Sequence, residues 1–107
     1  YPVGPDGLPM TGTGTVLFRA GAAMTQDGVA LDAYDQLYVA RNVPGQIARV
    51  RADGMGEAVI VARGLRTPAS LAFGRGPGFD PCSIYATELL NSEVVRIVVG
   101  AEGAPMP

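Results

Sequence analysis

Short apolar blocks recur along this chain at a spacing in the forties, and that recurrence constrains the fold more than any other feature. Val16-Leu17-Phe18-Arg19-Ala20-Gly21 matches Val59-Ile60-Val61-Ala62-Arg63-Gly64. Val29-Ala30-Leu31 matches Leu71-Ala72-Phe73, and Leu37-Tyr38-Val39-Ala40 matches Ile84-Tyr85-Ala86-Thr87. Ile47-Ala48-Arg49-Val50 matches Val94-Val95-Arg96-Ile97, with one insertion at 74–83 lengthening the second copy. Blocks this short, rich in Val, Ile, Leu and Tyr, are strands. At this period they predict an all-β chain of two four-stranded β-propeller blades.

Turn chemistry separates the blocks. Asp27-Gly28, Pro44-Gly45, Asp53-Gly54 and Gly76-Pro77-Gly78 stand where the chain must reverse. No segment sustains a 3.6-residue apolar period. Ala20 to Met24 reads at most as one helical turn, weakened by Gly21. The expected strands are an outer strand at 15–20, an inner strand at 29–32, a second at 36–41 and a third at 46–52. After these come an outer strand at 57–62, an inner strand at 69–73, a second at 83–87 and a third at 93–99. The chain then reads as one module of two repeats, 15–54 and 57–99, with Gly/Pro-rich tails at 1–14 and 100–107.

This order leaves the first outer strand without a blade and the last blade without an outer strand. An unpaired edge invites another strand. The expected remedy is that one copy's first strand completes the next copy's last blade. Head-to-tail repetition closes a ring if the rotation fits, and three copies give six blades. The self-partner is thus a homotrimer by strand complementation; the competing reading is a fragment of a larger six-bladed propeller. One further match bears on this: Val3-Gly4-Pro5-Asp6-Gly7-Leu8-Pro9-Met10 resembles Val99-Gly100-Ala101-Glu102-Gly103-Ala104-Pro105-Met106. In a closed ring the two ends compete for equivalent places.

Three groups of residues carry a resemblance to a known family. Thr25-Gln26-Asp27-Gly28-Val29-Ala30-Leu31-Asp32, Asp35-Gln36-Leu37-Tyr38-Val39-Ala40 and Gln46-Ile47-Ala48-Arg49-Val50 are similar to a blade of the gluconolactonase / senescence-marker-protein (regucalcin) family. The related NHL-repeat propellers share this pattern. Thr67-Pro68-Ala69-Ser70-Leu71-Ala72-Phe73-Gly74 and Ile84-Tyr85-Ala86-Thr87 resemble the next blade. The resemblance implies a six-bladed propeller. Members with lactonase activity bind a divalent cation through a Glu, Asn residues and the Asp of a Pro-Asp-Gly motif. Asp27 takes that Asp position here, with Gln26 in place of Pro. The other ligands come from blades outside this chain.

Alternating strand direction divides the loops between two faces. One is expected to carry Asp27, Arg41, Asn42, Thr67, Glu88, Asn91 and Ser92. Oxygen donors of this kind suit Ca²⁺, Mg²⁺ or Mn²⁺, with Asp27 as the metal ligand. Arg41, Asn42, Glu88 and Asn91 are the candidate ligand-binding residues. Against these roles, Asp-Gly is a common turn pair, and Asn42, Glu88 and Asn91 read as solvated loop residues. The other face is expected to carry Tyr34, Asp35, Asp53 and the insertion from Arg75 to Cys82. Tyr38 and Tyr85 occupy equivalent places and read as packing residues or a sugar-stacking platform.

Composition narrows the functions further. Apolar residues make up 48% and charged residues 17%, which excludes a disordered chain and implies strands buried on both faces. The net charge is −2 and the basic residues are scattered, so neither nucleic acid nor a membrane surface is an expected partner. No histidine is present, which removes His-based triads and His metal sites. Cys82 is the single cysteine and reads as a packing residue. The reading is a soluble chain of open compartment. Two functions compete for it: a ring module that binds a small polar ligand or sugar or acts as a scaffold, and a metal-dependent lactonase-like hydrolase.

Overall fold

The computed structural model describes residues 5, 25–51, 53–54 and 56–105. The expected outer strand at 15–20, the helical turn at 20–24 and, residue 5 apart, the tail at 1–14 lie outside the described residues. The described residues contain seven strands and no helix: β1 (Thr25–Leu31), β2 (Gln36–Val43), β3 (Gln46–Arg51), β4 (Val59–Ala62), β5 (Pro68–Phe73), β6 (Ser83–Glu88) and β7 (Glu93–Val98). No helix among them is long and apolar enough to cross a membrane.

The strands form two antiparallel sheets, one of order β1-β2-β3-β4 and one of order β5-β6-β7. The all-β expectation holds. Sheet boundaries are offset by one strand from the sequence repeats, because β4 pairs with β3 and not with the strands that follow it.

Burial explains the local sequence. Strand β2 carries the apolar run Leu37–Ala40 because Tyr38, Val39 and Ala40 are all buried, leaving neither face to solvent. Strand β7 alternates instead. Val95 and Ile97 pack inward, whereas Val94 and Val98 are 65% and 67% exposed.

One core joins the two sheets. Tyr38 and Ile47 of the first meet Phe73, Ile84 and Ala86 of the second. The Tyr38 and Phe73 rings meet edge to face with centroids 5.6 Å apart. Such a pair contributes about 0.5–1.5 kcal/mol beyond its buried area.

Asp27-Gly28 is not a turn. It lies inside β1, where the register with β2 slips between Gln26 and Val29. A side chain at Gly28 would place its Cβ 2.2 Å from the carbonyl oxygen of Ala69 in β5. Glycine is present so that β1 can lie directly against the neighbouring sheet.

The segment after β7 is no strand, as its Gly and Pro content implies, yet it is fastened. The Ala33 N–H donates to the Glu102 carbonyl at 2.8 Å, and the Ala104 N–H donates to the Leu31 carbonyl at 2.9 Å. Asp32 and Gly103 form an antiparallel bridge between them. The chain thus returns from the second sheet to the end of β1.

Candidate functional site

The registers decide which residues share an end of the sheets. Thr25 of β1 lies opposite Val43 of β2, and Pro68 of β5 lies opposite Glu88 of β6. Asp27, Arg41, Asn42, Thr67, Glu88, Asn91 and Ser92 therefore stand at one end. Tyr34, Asp35, Asp53 and residues 75–82 stand at the other.

Sharing an end does not make these side chains converge. Asp27 is exposed on β1, and Asn91 is exposed in the β6–β7 turn. Arg41 is buried and donates from Nη1 to Gln46 Oε1 at 3.4 Å. Asn42 and Glu88 are not the solvated loop residues that their composition suggested. Asn42 Nδ2 donates to the Pro68 carbonyl at 2.6 Å, and Glu88, 5% exposed, accepts from the Arg66 N–H at 3.0 Å.

The bonds of Asn42 and Glu88 fall on the entry to β5, at Pro68 and in the linker at 63–67 that runs to it from β4. The Leu65 N–H donates to the Gly45 carbonyl at 3.0 Å, and the Thr67 carbonyl accepts from the Leu89 N–H at 3.1 Å. Thr67 itself has φ of 52°, in the left-handed region that a β-branched residue seldom enters. Asn42 and Glu88 thus hold the crossover between sheets. Each such bond contributes about 1 kcal/mol net, and together they fix the entry of β5.

Ca²⁺ takes six to eight oxygen ligands and Mg²⁺ six in near-octahedral geometry. Asn42 and Glu88 already bond to Pro68 and to the Arg66 N–H, and among the described residues no three His, Cys, Asp or Glu side chains gather around one centre.

Sequence reasoning missed the most heavily bonded side chain. Asp32 is 1% exposed and closes the β1–β2 loop. Its Oδ1 accepts from the Tyr34 N–H at 2.8 Å and the Gln36 N–H at 3.0 Å. Its Oδ2 accepts from Gln36 Nε2 at 3.3 Å and from the Tyr38 hydroxyl at 3.1 Å. Burial, followed by the bond to Asp32 and its charge, raises the Tyr38 pKa above 10.0, with Arg49 opposing.

The second sheet repeats the device. Asp80 precedes β6 and accepts from the Cys82 N–H at 3.1 Å and the Ser83 hydroxyl at 2.6 Å. Those bonds, the Ser83 one foremost, lower its pKa below 3.8. The Asp80 N–H donates to the Tyr85 hydroxyl at 2.9 Å. The available signal was an Asp shortly before a strand that carries Tyr at a fixed place, found once in each repeat. Tyr38 is fully buried, which removes it as a stacking platform. Tyr85 is half-buried and meets Phe79 edge to face at 5.3 Å.

Two further features stand out. A groove of about 500 Å³ runs between β1 and β5, walled by Val29, Leu31, Leu71, Phe73 and Pro105, with Arg75 beside it. Arg75 Nη2 donates to the Ala104 carbonyl at 2.5 Å, which fastens the returning segment across it. The other feature is the outer edge of β7, where no fourth strand lies among the described residues. In the first sheet, β4 fills the corresponding place. Compared with protein families and with curated proteins, the chain matches no family model and no curated protein to a significant degree.

Proposed function

We propose that this chain is a two-blade propeller module that assembles head to tail into a six-bladed homotrimeric ring, acting as a scaffold that presents a small polar ligand or sugar. The observation that carries the reading is the inequality of the two sheets. The first has an outer strand, and the second ends on β7, whose outer edge pairs with no strand among the described residues. A β-edge of this kind accepts a strand.

The sequence supplies a strand of the required kind. Residues 15–20 match the block that contains β4. The linker at 63–67 leads from the outer edge of one sheet to the inner edge of the next. By the same repeat, residues 21–24 lead into β1 from the outer edge of a preceding sheet, which in a ring is the β5–β7 sheet of another copy. The family resemblance and the one-strand offset between repeat and sheet support the same arrangement. Light scattering tests it: a trimer is expected, and a monodisperse monomer refutes it.

In such a ring β1 is an inner strand, so three copies of the exposed Asp27 approach the axis. Like charges held together favour a cation or a shared proton. Ca²⁺, Mg²⁺ or Mn²⁺ is therefore the ligand class to test. Calorimetry is expected to show binding heat that Asp27→Ala abolishes, and the absence of that heat removes the axial cation site.

A further inference from the structure

The end of β1 is a seat with a defined occupant. Residues 102–104 fill it through the two backbone bonds to Leu31 and Ala33 and the bridge at Asp32. Gly103 lies on Phe73 so closely that a Cβ there would stand 2.6 Å from Phe73 Cβ and 2.7 Å from its Cγ. The seat therefore accepts glycine at its centre and excludes a side chain. Arg75 closes over the next carbonyl, that of Ala104, and Pro105 follows. What the seat reads is an acidic residue, Gly, an apolar residue and Pro, mostly through backbone.

The same pattern occurs at Asp6-Gly7-Leu8-Pro9, inside the block at 3–10 that matches 99–106. We propose that the seat formed by Leu31–Ala33, Phe73 and Arg75 is an exchange site for Asp6–Pro9 of a second copy of this chain, which the chain's own Glu102–Pro105 occupies until that copy arrives. The inference rests on the strand-completion part of the ring reading. A strand at 15–20 that completes β7 brings its own residues 3–10 to the place that 99–106 holds after β7. The two segments compete for one set of backbone partners. The resident segment is tethered, which gives it an effective concentration on the order of millimolar. Its release is then a step in assembly, and the contact restrains association until copies meet.

The test uses a synthetic peptide of residues 3–10 and a second peptide carrying Gly7→Val, titrated by calorimetry into the Leu17→Pro chain, whose donor strand is disabled so that no second copy fills the seat, and into Leu17→Pro that also carries Gly103→Val, with circular dichroism as the folding control. Gly103→Val dislodges the resident segment. The residue 3–10 peptide is expected to bind the doubly altered chain at least about tenfold more tightly than Leu17→Pro alone, since the tethered competitor is gone. The Gly7→Val peptide is expected to lose binding to both. Equal affinity for both proteins, or equal binding by both peptides, overturns the proposal.

If the doubly altered chain does not fold, amide exchange of Leu17→Pro alone decides. Saturating residue 3–10 peptide is expected to speed exchange at the Ala104 N–H while the Ala33 N–H stays protected by the incoming carbonyl. No change at Ala104 overturns the proposal. Because a free peptide reports on the seat alone, this result is independent of the mass measurement that tests the ring. A trimer without peptide exchange removes only the seat.

Discussion

Replacing Asp32 by alanine is the sharpest perturbation of the fold. The carboxylate is almost wholly enclosed and accepts four hydrogen bonds. Tyr38 is fully buried, so its hydroxyl loses its acceptor. Arg49, which also acts on that hydroxyl, offers only donors and does not replace the carboxylate. An orphaned buried hydroxyl costs about 1–3 kcal/mol. The Tyr34 and Gln36 N–H groups lie nearer solvent, where water recovers part of their loss, so each adds about 0.5–1 kcal/mol. The sum is about 3 kcal/mol, a large share of the 5–15 kcal/mol typical of a domain.

Asp32→Asn keeps an oxygen for the loop amides and turns an amide N–H₂ toward a hydroxyl that is able to accept, so about 1 kcal/mol is expected. Urea unfolding followed by circular dichroism measures both variants at constant slope. A double-mutant cycle with Tyr38→Phe isolates the buried bond, with an expected coupling of about 1 kcal/mol or more. A loss below about 1 kcal/mol for Asp32→Ala, or strict additivity with Tyr38→Phe, refutes the reasoning.

Gly28→Ala drives a Cβ toward the Ala69 carbonyl, and because backbone cannot rotate away the sheets must separate, at a cost of about 1–3 kcal/mol by thermal or urea unfolding. Asn42→Ala removes the bond to the Pro68 carbonyl and is expected to lower stability by about 1 kcal/mol while leaving any heat of cation binding intact; loss of that heat without loss of stability would return Asn42 to the site. On the acid side, the Asp80 pKa is depressed, so its contribution is present above its ordinary 3.8 and is lost as pH falls through the lower folded value. On the alkaline side, the Tyr38 pKa is raised, so its contribution is complete below 10.0 and is lost as pH rises through the higher folded value. Unfolding midpoints across both windows check the signs, with Asp80→Asn expected to flatten the first and Tyr38→Phe the second.

The strand positions were legible because each strand has a simple pattern. Leu37 to Ala40 is apolar without interruption and lies in the doubly buried β2, while Val94 to Val98 is apolar but for Arg96 and forms an edge whose burial, not its sequence, alternates. Turn residues placed the boundaries between them well, with one informative exception. Asp27-Gly28 carries turn chemistry, yet Gly28 serves a contact with β5 that no local pattern reveals. The candidate site was legible only as an end of the sheets. Asn42 and Glu88 stand where expected, but Asn42 bonds Pro68 of the other sheet and Glu88 bonds Arg66 in the linker that enters its own sheet, partners 26 and 22 residues away that no local pattern reveals. Asp32 escaped notice because an acidic residue in a short loop ordinarily faces water. Its burial follows from the Tyr38 hydroxyl beneath it and the returning segment at Gly103 beside it.

The central claim is that β7 is completed by a strand from another copy. Size-exclusion chromatography with light scattering tests it most directly, on the full chain and on Leu17→Pro, which places a residue without an N–H in the middle of the expected donor strand. The account predicts a mass three times that of the 11.0 kDa chain, falling to the single-chain mass in Leu17→Pro. A monodisperse monomer for the unaltered chain, or a trimer that Leu17→Pro leaves intact, contradicts it.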